Sequence, residues 1–448
     1  MKNFIKFLKT DIKIINSYFL LAVIFIILIS IGYSSYALFS FTKTSTNVIE
    51  GTVGELKKNI DTSGANAPVL ASNMIPVYYD ETNSVWKKSD VSNMDKTNPW
   101  YSYNSTGEYK GMWANAVTVT ATNRTTYLNA APGTTISMDD INTMWVWIPR
   151  FNAVTPSNYN GGTEAKPNAI DVTFVKPNET AIDAFTFGTK QLSGFWYAKF
   201  ELSHSTLASS SNSNNLGCTN EACSNANGII IKPSVKSLRY NSVSKFFFAS
   251  RSMEQSNNSF GFVSSEVDPH MSKNNEWGAV AYLTHSIYGR CTNSTTCTEV
   301  GINNNKSFIT GYGAPAGSGI SVTNGAYNTS LGKNASTTGN IYGIYDMSGG
   351  AYEYVMGVYN KTIKSSGFSS LPNEKYYNNY TGTTYQGHAL TETNGWYGVS
   401  ATFVNSSYPW FVRGGYCYGG TGAGVFSFHY YNGYLDSIYS SRLVISNK

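Results

Sequence analysis

FVRGGYCYGGTGAGVFSFHYYNGYLDSIYSSRLVI, residues 411 to 445, is the stretch on which the reading of the whole chain turns. Its borders read as framework: Val412-Arg413-Gly414-Gly415 opens it, and Ser440-Ser441-Arg442-Leu443-Val444-Ile445 closes it with an apolar, strand-favouring run. Between the borders the composition changes. Tyr416, Tyr418, Tyr430, Tyr431, Tyr434 and Tyr439 alternate with Ser, Gly, Asn, Asp and His, and residues 416 to 439 contain no Lys, Glu, Gln, Met or Trp. Tyrosine offers a large amphipathic contact area at low rotamer cost, and Ser, Gly and Asn add adaptable hydrogen bonds, which is the palette of an antibody-like binding surface. A plain Tyr-rich hairpin on a chain with 33 tyrosines fits the composition equally well.

The rest of the chain sets bounds around that segment. A length of 448 residues is enough for two or three domains and a sizeable core. Charged residues make up 13%, aromatics 15%, and there are 40 glycines, a balance that favours strands and loops over helices. The net charge of +5 is small for this length, and no basic patch interleaved with aromatics argues for nucleic acid.

At the N-terminus, Lys2, Lys6, Lys9 and Lys13 precede an uncharged span from Ile14 to Thr42. Centred on YFLLAVIFIILISI (18–31), it reaches the ~20 residues that cross a bilayer as a helix. Lysines on its N-terminal side orient the chain with its body outside. Ser35-Tyr36-Ala37 also resembles a signal-peptide cleavage site, so anchor and leader both stay open. Either exports the body, and the expectation taken forward is a single-pass, membrane-anchored protein held through residues 14–42. Cysteine usage agrees with export: Cys218 with Cys223, and Cys291 with Cys297, lie close together in polar loops where short disulfides form. Neither spacing is a zinc knuckle. Cys417 is left over, inside the Tyr-rich segment.

Residues 43–72 read as a polar stalk, 73–139 as a β-rich extension, and 140–448 as the main domain. MIPVYYD (74–80), SVWKK (84–88), MWANAVTVTAT (112–122), MWVWIP (144–149), 171–175 and GFWYAKFEL (194–202) are strand candidates. Residues 242–253 and 275–283 have helix-compatible spacing, 203–230 and 292–340 are polar loops, and the end of the chain reads as a β-hairpin.

Four blocks then carry a resemblance. FWYAKFELS (195–203), MSKNNEWGAVA (271–281), NIYGIYDMSGGAYEYV (340–355), and Arg413-Gly414-Gly415 with Ser441-Arg442-Leu443 follow the order of motifs in the formylglycine-generating-enzyme branch of the C-type lectin fold. The resemblance covers residues 140 to 445. It implies an α+β fold with few helices, small antiparallel sheets and long loops. The enzyme's chemistry does not transfer: that family uses two cysteines shortly after RGG, and only Cys417 stands here, with no evident activating base. The family's calcium-binding Asn is replaced by Gly350 while Glu353 is kept, so calcium is a doubtful cofactor and no other is implied.

The chain most resembles the lectin-fold variable proteins of bacteria and phage that retroelements diversify. In those proteins a segment between RGG and Arg is rewritten at adenines of Asn-rich codons. Rewriting the first two bases of such codons never yields Lys, Glu, Gln, Trp or Met, and all five are absent from 416–439. Cys417 then follows as one draw from the codon set. The resemblance implies a ligand-binding segment, 413–442, with changeable positions Tyr416, Cys417, Tyr418, Ser427, His429, Tyr430, Tyr431, Asn432, Tyr434, Asp436, Ser437, Ile438 and Tyr439. Gly414, Gly415, Ala423, Gly424, Val425, Phe426 and Phe428 become framework, and the ligand is a protein or glycan met at the cell surface.

Glu276, Trp277 and Glu353 could be catalytic, but their expected role is structural, with a carboxylate paired to Arg413 or Arg442 inside the core. His204, His270, His285, His388 and His429 show no metal-ligand spacing, and Gly420–Gly424 reads as a turn rather than a phosphate loop. Three classes stay open: a binding protein with a changeable site, a copper-dependent oxidase related to formylglycine generation, and an invariant structural or adhesive surface protein.

Overall fold

The computed structural model describes residues 61–207 and 215–448. The expected anchor (14–42) and the first part of the stalk lie outside the described residues. Among the described residues no helix is long and apolar enough to cross a membrane.

Apolar runs build the main sheet. Its strands are β1 (Ile75–Asp80), β2 (Val85–Lys88), β3 (Asn115–Val119), β4 (Thr135–Ile136), β5 (Ile141–Pro149), β6 (Gly194–Ala198), β7 (Val267–Met271) and, from the chain's end, a strand introduced below. β5 is buried at nearly every position, as a near-continuous apolar run at a sheet centre should be. It pairs antiparallel with β3 on one side and β6 on the other.

Two helices of ten and eleven residues, α1 (Val243–Ser252) and α2 (Asn274–Thr284), pack nearby. α2 is buried along its whole length and starts with a capping box between Lys273 and Glu276.

The second sheet carries the C-terminal segment. β8 (Tyr352–Tyr359) pairs in parallel with β9 (Asn378–Tyr380) and antiparallel with β10 (Trp410–Arg413). β10 pairs with β11 (Phe428–Tyr431), with Trp410 opposite Tyr431 and Arg413 opposite Phe428. Then β12 (Tyr439–Ser441) runs parallel to β8, and β13 (Leu443–Asn447) enters the main sheet between β6 and β7. The expected terminal hairpin is therefore only β10–β11, and the last two strands clamp the segment to both sheets.

Two boundaries differ from the sequence reading. β3 hydrogen-bonds to β5, so residues 73–139 and those from 140 share one sheet. Residues 61–72 are no free stalk: Ala65 and Ala71 are buried, and Asn66 and Val69 offer carbonyls to the indoles of Trp147 and Trp196. An indole N–H in a core needs such a partner, and these supply it. Within 292–340 the polar loop also packs more than its composition implies. Asn304, for example, donates its amide to the carbonyls of Gly319 and Val322 at 2.7 and 2.8 Å.

Candidate functional site

The two arginines that border the segment are fully buried, and each organises one end of it. Arg442 grips Glu353 through two hydrogen bonds of 2.6 and 2.9 Å and donates to the carbonyls of Ala198 and Tyr345. Burial pushes the Glu353 carboxyl up, while Arg442 beside it pulls back and is itself held charged. Glu201 and Asp346 lie near this pair, and burial raises both. Among the described residues no carboxylate pairs with Arg413. Its guanidinium donates to Ser427 O, Asn274 Oδ1, His388 O and Ala389 O, and burial lowers its pKa to about 10. His388 and Ala389 both take positive φ, +62° and +52°, where they offer those carbonyls.

The other expected structural residues close the frame. Glu276 accepts from the Lys273 backbone N–H at 2.8 Å and meets His270 Nε2 at 3.0 Å. Trp277 donates its indole N–H to Val425 O, tying α2 to the segment. Gly415 sits at φ +73°, and a Cβ there would lie 2.6 Å from Ala423 Cα, so only glycine allows the close approach.

On the open side of the second sheet, Tyr352, Tyr408, Val412, Tyr416, His429, Tyr430, Tyr431, Ile438 and Tyr439 line a recess of about 400 Å³. Its rings pack in pairs. Tyr352 stacks on Tyr416 at 5.0 Å, Tyr408 on Tyr430 at 4.9 Å, and Tyr431 tilts against Tyr439 at 4.5 Å. Tyr431 points its hydroxyl toward Asp436 Oδ2 at 3.5 Å. The hydroxyls of Tyr352, Tyr408, Tyr416, Tyr430 and Tyr439 bond to none of the described residues. Tyr439 is only 8% exposed and forms the floor, whereas Tyr418 and Tyr434 stand outside at 49% and 52%. Asn432, Asp436 and Ser437 are half-buried between them. The arrangement presents flat neutral faces and unused hydroxyl donors with no Lys or Arg in the wall.

Two expected positions do not reach this face. Cys417 is fully buried against Phe308, Ala351 and Ile438, and its N–H donates to Gly350 O. Ser427 is buried and bonds Ser400 O. Both lie outside the strands, Cys417 in a turn and Ser427 just before β11, and the chain's path there carries them inward. Three lining residues, Tyr352, Tyr408 and Val412, come from outside residues 413–442. The strand period around Glu353 points Tyr352 away from Arg442 and toward the recess; nothing in the sequence around Tyr408 marks it.

No protein-family model and no curated protein matches the chain. Solved structures similar to it include Treponema denticola variable protein 1, 11% identical with a TM-score of 0.30 over 67% of this chain and 95% of that one. The Major Tropism Determinant I1 variant is 11% identical, with a TM-score of 0.31 over 87% and 99%. The Major Tropism Determinant M1 variant is 12% identical, with a TM-score of 0.27 over 85% and 74%. The assignment of the site rests on this chain's own contacts.

Burial pushes the Cys417 thiol up to about 12, and the other cysteines are paired as Cys218–Cys223 and Cys291–Cys297, so no second thiol stands beside it. Calcium does not fit at Gly350: a Cβ there would meet Glu201 Oε1 at 2.2 Å, and both Glu353 oxygens are taken by Arg442. Among the described residues one trio with metal-ligand proximity exists, His285 with Cys291 and Cys297, and its two sulfurs are bonded to each other.

A second, tight cavity lies behind Gly424-Val425-Phe426, lined also by His285, Arg290, Glu299 and Tyr397. Burial lowers His285 to about 4 and raises Glu299 to about 7 against the pull of Arg290.

Proposed function

We propose that this chain is a ligand-binding protein of the C-type lectin fold whose exposed C-terminal side chains are the changeable part of its binding site. The observation that carries the reading is the recess itself. Phenols from 416, 430, 431 and 439 converge on one open face, while the backbone behind them is locked by the buried Arg413 and the Glu353–Arg442 pair. A face whose backbone is held from behind can change its side chains without refolding. Its rings are already stacked in place, so binding immobilises few side chains, each otherwise costing about 0.5–1.5 kcal/mol. The exported setting, with an anchor at residues 14–42 and a protein or glycan ligand outside the cell, belongs to the same proposal.

Comparing the 3′ end of this gene among sibling isolates tests the reading without a ligand in hand. Differences should concentrate at 416, 418, 429–432, 434 and 436–438 and spare 413–415 and 440–445. Differences spread evenly over 411–445 would remove the proposed changeable positions, and none anywhere in it would favour an invariant surface protein. Once a ligand is isolated, Tyr430→Ala with Tyr431→Ala and Tyr434→Ala should weaken its binding at least about thirtyfold, as loss of a hot spot does. Unchanged binding would move the site elsewhere.

A further inference from the structure

Resting on the reading above, we infer that the site has a constant half: Tyr352 and Tyr408 are fixed contact residues for protein ligands, whichever residues the changeable segment carries. Each of the two stacked pairs at the recess has one member inside residues 413–442 and one outside. Tyr416 stacks on Tyr352, and Tyr430 stacks on Tyr408.

Both outside members are held by bonds that do not involve the side chains at 416 or 430. The Tyr352 N–H donates to Ile438 O at 2.9 Å, and Tyr352 pairs with Tyr439 across β8 and β12. The Tyr408 carbonyl accepts from the Asn405 N–H, and the Asn405 side chain accepts from the N–H groups of Ser407 and Tyr408, closing a turn just before Pro409. Changing 416 or 430 therefore leaves these two phenols in place, with more ring face uncovered when the new residue is small.

Tyr408 is 42% exposed, and neither hydroxyl bonds a described residue. A flat, neutral ring with a free donor fits what every protein surface offers, aliphatic side chains and backbone carbonyls, independent of its sequence. An open recess edged by the exposed Tyr408, with Tyr418 against Tyr416, suits a broad protein face. The constant half would supply general adhesion and the changeable half discrimination.

Selection from a displayed library of the full chain tests this, with residues 416, 418, 429–432, 434 and 436–438 randomised. Hen lysozyme, streptavidin, ubiquitin and dextran serve as probes. In clones selected on each protein, Tyr408→Ala should weaken binding at least about fivefold whatever residues the clone carries. Tyr352→Phe, which keeps the stacked ring, should weaken it less but in the same direction. Val154→Ala, exposed and outside the recess, should change nothing, and thermal midpoints should stay level across the three variants. Protein-binding clones that keep full affinity with both tyrosines replaced overturn the constant half and leave the proposed function standing. Binders to dextran alone overturn the protein partner, and no binder to any probe overturns the binding reading together with this inference.

Discussion

Glu353 and Tyr352 are adjacent residues of one strand and do opposite things. Glu353 faces inward, and both its oxygens are taken by Arg442. Tyr352 faces the recess, stacks on Tyr416, and its hydroxyl bonds none of the described residues. The contrast extends across the whole second sheet. Behind it, Arg413 and Arg442 find carbonyl or carboxylate acceptors; in front, phenols hold each other by ring contact alone. A buried charge without its partner is costly, so the back tolerates little change. Ring contacts at a half-exposed face are worth about 0.5–1.5 kcal/mol each, so any one can be exchanged. Freedom in front follows from closure behind.

The harshest way to break that division is Arg442→Met. It strands Glu353 and orphans the carbonyls of Ala198 and Tyr345, and a loss of about 3–5 kcal/mol in denaturant unfolding is expected. Pairing it with Glu353→Met should recover part of the loss, because the uncompensated carboxyl goes while the two carbonyls remain unmet. No recovery in the double variant would mean that Glu353 is held by something other than Arg442.

A neighbouring pair sharpens the same comparison at a smaller scale. Cys417 is sealed against Phe308, Ala351 and Ile438, and Tyr418 beside it stands half in solvent. Cys417→Tyr should overpack the interior and cost about 1–3 kcal/mol. Tyr418→Cys should stay within about 0.5 kcal/mol of the parent. Thermal or urea unfolding of the two variants side by side reads the difference, and equal costs would erase the inward–outward distinction at this turn.

What could be read from the residues tracks the same physics. MWVWIP became a central strand because an unbroken apolar run of that length has few other places to go, and 275–283 became α2 because its apolar spacing coincides with Glu276 as a capping residue. The composition of 416–439 singles out the phenols that meet at the recess. It does not reveal that Cys417 and Ser427 turn inward, since that depends on the turn from Gly414 to Gly424 rather than on residue type. The lining from Tyr408 is not legible in the sequence, because a lone loop tyrosine acquires meaning only from the ring it stacks on. The division near 139 failed for a related reason: β3 and β5 are joined by backbone hydrogen bonds, which leave no trace in side-chain pattern. The Asn-rich loops misled in the other direction, since amides such as Asn304 satisfy buried carbonyls that a polar loop was expected to leave to solvent.

The most local test concerns the segment's rear wall, where Gly424-Val425-Phe426 covers Glu299, Arg290, His285 and Tyr397. An unfolded glutamate titrates near about 4.3, and in the folded chain Glu299 is raised to about 7. Between those values the folded state keeps a proton that the unfolded state has lost, so this group's contribution to stability falls as pH rises from about 4.3 to 7 and is flat above. His285 has the opposite sign: unfolded near about 6.5, folded about 4, it adds stability as pH rises through that interval. The two offset each other over most of their range. Glu299→Gln removes only the first, so the variant should gain on the parent steadily up to pH 7 and hold a constant margin at pH 8. Thermal midpoints of both proteins at pH 5, 6, 7 and 8 give that difference directly, with all other titrating groups cancelling. A margin independent of pH would place Glu299 in water and detach it from the wall, and the rear of the segment would then be as open to charge as its front.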